Sequence, residues 1–235
     1  MGPVNLGISA RITPKATHAI PLDTRRANKY IRNERSLRKI IGRTMLKTEK
    51  RDEIVRAALE TIAEHGFHGA PIAMIATRAG VGAGTIYRYF ENKDILISAL
   101  YQQIEGRLYP FILQGYEPKR PIRERFLHLG KGLLRYFLEN PLDFRYIEQF
   151  HNSPYGAALR RARLQASSGN QDAFRELFED GISQQVLKNL PVTVLFALAF
   201  GPIIIVARDQ ILGLTQMDDA LIGKTIEACW DGIRR

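Results

Sequence analysis

From Thr48 to the C-terminus, apolar residues recur every three or four positions, and no stretch alternates apolar and polar residues long enough to make a strand. Only a helix places residues i, i+3, i+4 and i+7 on one face, so this period restricts the chain to an all-α architecture. Ile54, Ala58 and Ile62 form the first stripe, with Gly66 as its natural stop. Pro71 suits a first helical position, and Ile72, Ile75, Ala76 and Ala79 follow as a second, short helix ended by Gly80. Ile86 and Phe90 share one face of a third short helix, and Asn92 can cap a fourth. Longer stripes follow at Ile97 to Leu108, at Ile122 to Phe137, from Asn140 and Pro141, at Phe174 to Phe178, from Pro191 to Leu214, and from Met217 to Arg235. The expected organisation is a three-helix unit at 45–92 and a larger helical body at 93–235.

Residues 1–44 have a different character. They hold ten of the 34 Lys and Arg but only two of the 24 Asp and Glu, together with Pro3, Pro14 and Pro21 and no sustained apolar period. This segment reads as a disordered basic extension, and Met45 is a candidate initiator; the rival reading is a basic arm that adds nonspecific affinity for DNA. The rest of the chain, with 24 basic and 22 acidic residues, is nearly neutral. An anion bound there must be held by local placement. A single cysteine, Cys229, leaves no internal disulfide and no cysteine-based zinc site, and with no apolar signal segment at the N-terminus it fits a cytoplasmic protein. The uncharged run from Asn189 to Ala207 is interrupted by Gly201 and Pro202, and reads as a buried or interface helix rather than a membrane span.

The stretch RAGVGAGTIYRYFENK, residues 78–93, carries Gly80, Gly82 and Gly84 at alternate positions. A dinucleotide fingerprint would need its third glycine at Thr85 and a β-strand before the first, and neither condition is met. Nor does a Gly-Lys-Ser/Thr phosphate loop occur. The same residues suit a helix-turn-helix, in which a glycine-containing turn joins a short helix to a second one that enters the major groove. Gly80 would close the first helix, Val81 would plug the turn into the core, and Gly82 would stand at the N-cap of the recognition helix. Gly84 inside that helix costs about 1 kcal/mol against Ala, which suits a position where a side chain would meet DNA. The helix start at Gly82 points free N–H groups at phosphate. Thr85, Tyr87 and Arg88 lie away from Ile86 and Phe90 and could reach bases or phosphates, Tyr89 is a further candidate DNA contact with packing as its rival reading, and Lys93 is placed for a phosphate.

Residues 51–101 resemble the DNA-binding domain of the TetR/AcrR family of bacterial transcriptional repressors, in the EHGFHG link, the IATRAGV of the second helix and its turn, and GTIYRYFENKDIL. The resemblance implies phosphate contacts from Tyr87 and Lys93 and base or backbone contacts from Ala83, Gly84, Thr85 and Arg88. Members usually carry Thr and Ser or Thr where this chain has Ala70 and Pro71, and Ser or Thr where it has Gly82. By the same resemblance, the body binds a small effector and the last two helices pair across a two-fold axis, so the expected partners are operator DNA, an effector and a second copy of the chain.

The aromatics Phe126, Tyr136, Phe137, Phe144, Tyr146, Phe150, Phe178 and Phe200 are the candidate lining of an effector pocket, with ordinary core packing the rival reading for each, and as a set they suggest a largely apolar ligand. No cofactor or metal is expected. An enzyme is the first rival reading, but no H-E-x-x-H, G-x-S-x-G or metal-spaced Cys/His group occurs, and His65 and His68 beside Gly66 look like a helix end. The second rival is a helix-turn-helix factor that binds DNA without a ligand.

Overall fold

The computed structural model describes residues 48–165 and 173–235; the expected basic extension and Met45 lie outside them. Ten helices occur among the described residues: α1 over 48–69, α2 Ile72–Arg78, α3 Ala83–Tyr87, α4 Lys93–Leu113, α5 Ile122–Glu139, α6 Pro141–His151, α7 Pro154–Gln165, α8 Ala173–Ser183, α9 Val192–Ile211 and α10 Asp219–Ile233. No strand occurs among them, only an isolated antiparallel bridge between Leu187 and Arg234.

Local chemistry sets most of the boundaries. The Asn92 side chain accepts from the Ile95 N–H at 2.9 Å and starts α4, as Asp218 does for α10 through the Leu221 N–H at 2.7 Å. Pro141 opens α6 at its first turn. Pro71 stands one position earlier than expected, as the N-cap of α2. Gly66 takes φ 74°, the left-handed value of a helix stop, yet the chain stays helical to residue 69, three residues past the expected end of α1.

Lys50–Arg235 form one compact unit, and its core runs without a break from Ile54 in α1 to Ile233 in α10. In the first part, Ile54, Ala58 and Ile62 of α1 pack with Ile75 of α2, Ile86 of α3 and Leu96 and Ile97 of α4, all fully buried. In the second part α5 is central and packs on α4, α6, α8, α9 and α10. Two glycines make that packing close: a Cβ on Gly130 would come within 2.8 Å of Ile226 of α10, and one on Gly181 within 2.5 Å of Leu187. Arg125, buried on α5, donates through Nη1 to Asp180 of α8 at 2.6 Å and through Nε to the Tyr116 hydroxyl at 2.9 Å.

Candidate nucleic-acid interface

The turn between α2 and α3 is set by backbone geometry. The Val81 N–H donates to the Ala76 carbonyl at 2.9 Å and the Gly80 N–H to that of Thr77 at 3.1 Å, the paired bonds of a Schellman closure. Gly80 is left-handed at φ 63°, and Gly82 is extended at φ −74°, ψ 149°, as N-cap of α3 with no side chain to cap it. Gly80→Ala is expected to destabilise the protein by about 1–2 kcal/mol, read as a lower urea midpoint, because a Cβ clashes with the backbone in this region.

α3 is held by one face only. Ile86 is fully buried and Phe90, just beyond its end, nearly so, while the opposite side shows Gly82, Gly84, Tyr87 and Arg88 to solvent. Tyr87 is 53% exposed and presents its ring to solvent on this side. A Cβ added at Gly82 or Gly84 would meet nothing within 4 Å, so in the free chain these glycines leave open space against the leading edge of α3. Ala83, Thr85 and Tyr89 are half-buried, with Ala83 and Tyr89 packed on the core. Six of the eight candidates thus lie on α3 and its ends with four exposed side by side, and the other two, Tyr89 and Lys93, are tied inward. The Lys93 ammonium donates to the Phe67 carbonyl at 2.5 Å, and burial lowers its pKa from the usual lysine value. That bond spans 26 residues, and no sequence period signals it.

The eight aromatic candidates for an effector pocket are all buried, but they do not surround one cavity. Phe126, Phe178 and Phe200 pack between α5, α8 and α9, with Phe126 and Phe178 at 5.8 and 5.9 Å from Phe200. Tyr136, Phe137 and Phe144 pack between α5 and α6, where Phe137 and Phe144 are 5.1 Å apart. Tyr146 and Phe150 face α1, α4 and α7 through Phe67, Tyr101 and Tyr155. A concavity of about 110 Å³ lies elsewhere, at the start of α5, between Tyr116, Arg120, Arg125 and His128. It is polar, and no motif in the sequence marks it.

A short helix-turn-helix with one face exposed, carried on a larger all-helical body, defines a class of DNA-binding regulators. Residues 54–100 match the family model described as bacterial regulatory proteins, tetR family, and residues 121–234 match that of the tetracyclin repressor-like C-terminal domain. The chain belongs to the TetR family of bacterial transcriptional regulators. It is similar to a TetR family transcriptional regulator of Vibrio parahaemolyticus, at 31% identity and a TM-score of 0.63, over 79% of this chain and 99% of that one. A TetR family transcription regulator of Marinobacter aquaeolei aligns at 25% identity and a TM-score of 0.70, over 81% of this chain and 98% of that one. The fatty acid metabolism regulator protein of Bacillus subtilis is 27% identical over 160 residues, which are 67% of this chain and 81% of that protein.

Proposed function

We propose that this DNA-binding regulator is a homodimeric repressor, released from its operator by a small, largely apolar effector. Residues 45–92 read DNA, residues 93–235 bind the effector and the second copy, and the protein acts in the cytoplasm. The observation that carries the dimer is α9. Its Leu195, Ala199, Ile203 and Ala207 are buried, while Val194, Leu198 and Ile205 on another face are 40%, 45% and 48% exposed. By length and composition α9 could cross a membrane, but Pro202 lies inside it and Arg208 near its end pairs with Glu148 of α6. An apolar face of this kind calls for a cover. A second copy supplies the same face across a two-fold axis, and gives the five-residue α3 a second half-site to read.

Effector release is a population shift, in which the ligand favours a conformation whose two recognition helices no longer fit the operator. The closed packing of the aromatics means that an apolar ligand must open the body to enter. The name of the Bacillus subtilis relative makes genes of fatty acid metabolism the first to examine as targets. That same closed core favours the second reading, a DNA-binding factor without a ligand. A thermal-shift screen separates the two, since a ligand that prefers the folded state raises Tm and must then also lower operator affinity. Tyr87 and Arg88 carry the reading of DNA. Arg88→Ala is expected to cost about 1–3 kcal/mol of operator affinity in a fluorescence titration if it reads a base. Unchanged affinity would remove Arg88 from the interface.

A further inference from the structure

The first two residues of α4 are held by two different elements, α1 and α7. Lys93 reaches back to the Phe67 carbonyl at the end of α1, and Asp94 accepts a 2.6 Å bond through Oδ1 from the Tyr155 hydroxyl of α7. The ring of Phe67 closes the same joint, meeting the rings of Tyr146 and Tyr155 edge-on at 5.7 and 5.6 Å. Tyr146 adds a 2.6 Å bond from its hydroxyl to the Ile97 carbonyl, one turn further along α4. α3 ends only six residues before Lys93, so the angle at which α4 leaves this joint sets where the recognition helix stands relative to the body.

We propose that Lys93 and Tyr155 are positioning residues for DNA reading: through the Phe67 carbonyl and the Asp94 carboxylate they fix the first turn of α4, and with it the distance between the two recognition helices. Lys93 then acts on affinity without touching the duplex. The inference rests on the dimeric reading above and assigns α7, which lies far from α3 in sequence, a part in reading DNA. Its physical basis is that an ammonium taken partly out of water is committed to the carbonyl that replaces its hydration, and moving it to a phosphate would leave that helix-end carbonyl without its partner.

The test uses the full-length protein and a duplex selected by it from a randomised pool, with a second duplex that has one base pair inserted between the half-sites. Lys93→Met keeps the length of the side chain and removes the charge; Tyr155→Phe keeps the ring on Phe67 and removes only the hydroxyl. Lys93→Met is expected to weaken binding about tenfold, and Tyr155→Phe about threefold. Both variants should lose part of the wild-type preference for the selected spacing, and the slope of log affinity against log salt should stay at the wild-type value. If Lys93 instead neutralised a phosphate in each half-site, its removal from both copies would lower that slope by about 1.8, or about 0.9 per copy. A fall of that size for Lys93→Met overturns the proposal, as does a Tyr155→Phe protein that binds both duplexes like the wild type. If Lys93→Met does not fold, Tyr155→Phe decides alone. A wild-type protein indifferent to the inserted base pair overturns the dimeric reading itself, and the spacing claim falls with it.

Discussion

A chain carrying Leu198→Glu and Ile205→Glu is expected to run as a monomer in light scattering and to lose nearly all affinity for a two-half-site operator. The two side chains stand one above the other on the open face of α9, at 45% and 48% exposure, and Gly201 between them leaves room for a close neighbour, with nothing within 4 Å of a Cβ built there. Burying a Leu or Ile contributes about 1.5–3 kcal/mol. About half of each side chain is already buried in the protomer, and in an isologous interface each substitution acts twice. The pair therefore removes about 3–6 kcal/mol of apolar burial, to which taking four carboxylates out of water adds several kcal/mol more. A micromolar dimer is held by about 8 kcal/mol. Together the two effects match or exceed the association free energy of such a homodimer. The protomer itself should survive, because neither side chain is part of its core. Its far-UV spectrum should be that of the wild type, and a folded variant that remains dimeric would show that the second copy sits elsewhere.

The parts of the fold that were legible in the sequence are those written in neighbouring residues. Asn92, Asn140 with Pro141, and Pro191 announce helix starts because a cap or a fixed φ acts within one turn. Gly80 announces the turn because left-handed backbone is costly for any other residue. The helical period likewise tells which face of α5 points inward. It does not tell what that face meets: Phe126, Tyr136 and Phe137 share one helix yet pack towards α9, Asp143 and Phe144 respectively. Aromatic rings in a helical core fill the space between neighbours at close-packed density, so their number alone does not imply a cavity. Long-range polar ties were illegible for the same reason. The bonds of Lys93 to Phe67, Tyr155 to Asp94 and Arg125 to Asp180 span 26, 61 and 55 residues, and each needs the fold before it can be named. Gly130 and Gly181 belong to this group too. Nothing in their flanking residues distinguishes a packing glycine from a turn glycine, and only Ile226 and Leu187 on the facing elements give the reason for them.

A large single-site effect on stability is expected at Arg107. Its guanidinium, on α4, holds Asp143 of α6 through Nη2 at 2.9 and 3.0 Å, and the Tyr136 hydroxyl of α5 donates to the same carboxylate at 2.5 Å. Burial first, and then the neighbouring Asp143 carboxylate, push the Tyr136 phenol well above the ordinary tyrosine range, so it stays a donor at any working pH. The pair is asymmetric: the Asp143 side chain is 6% exposed and that of Arg107 is 43% exposed. Removing Asp143 leaves a cation that water can reach and one orphaned hydroxyl. Removing Arg107 strands a carboxylate in the core with a single donor, the more costly of the two outcomes. Arg107→Ala is expected to destabilise by about 3 kcal/mol, near the lower end for a broken buried pair because water reaches the vacated guanidinium site. At about 2–4 °C per kcal/mol for a chain of this size, Tm should fall by about 6–12 °C. Tyr136→Phe should cost only about 1 kcal/mol, since both arginine bonds remain. The decisive measurement is the double variant Arg107→Ala with Asp143→Asn. If the stranded charge is the cause, the neutral amide, which still accepts from Tyr136, should restore much of the fall in Tm. A double variant no more stable than Arg107→Ala alone would mean that α4 and α6 are joined by the packing of the arginine stem rather than by the ion pair.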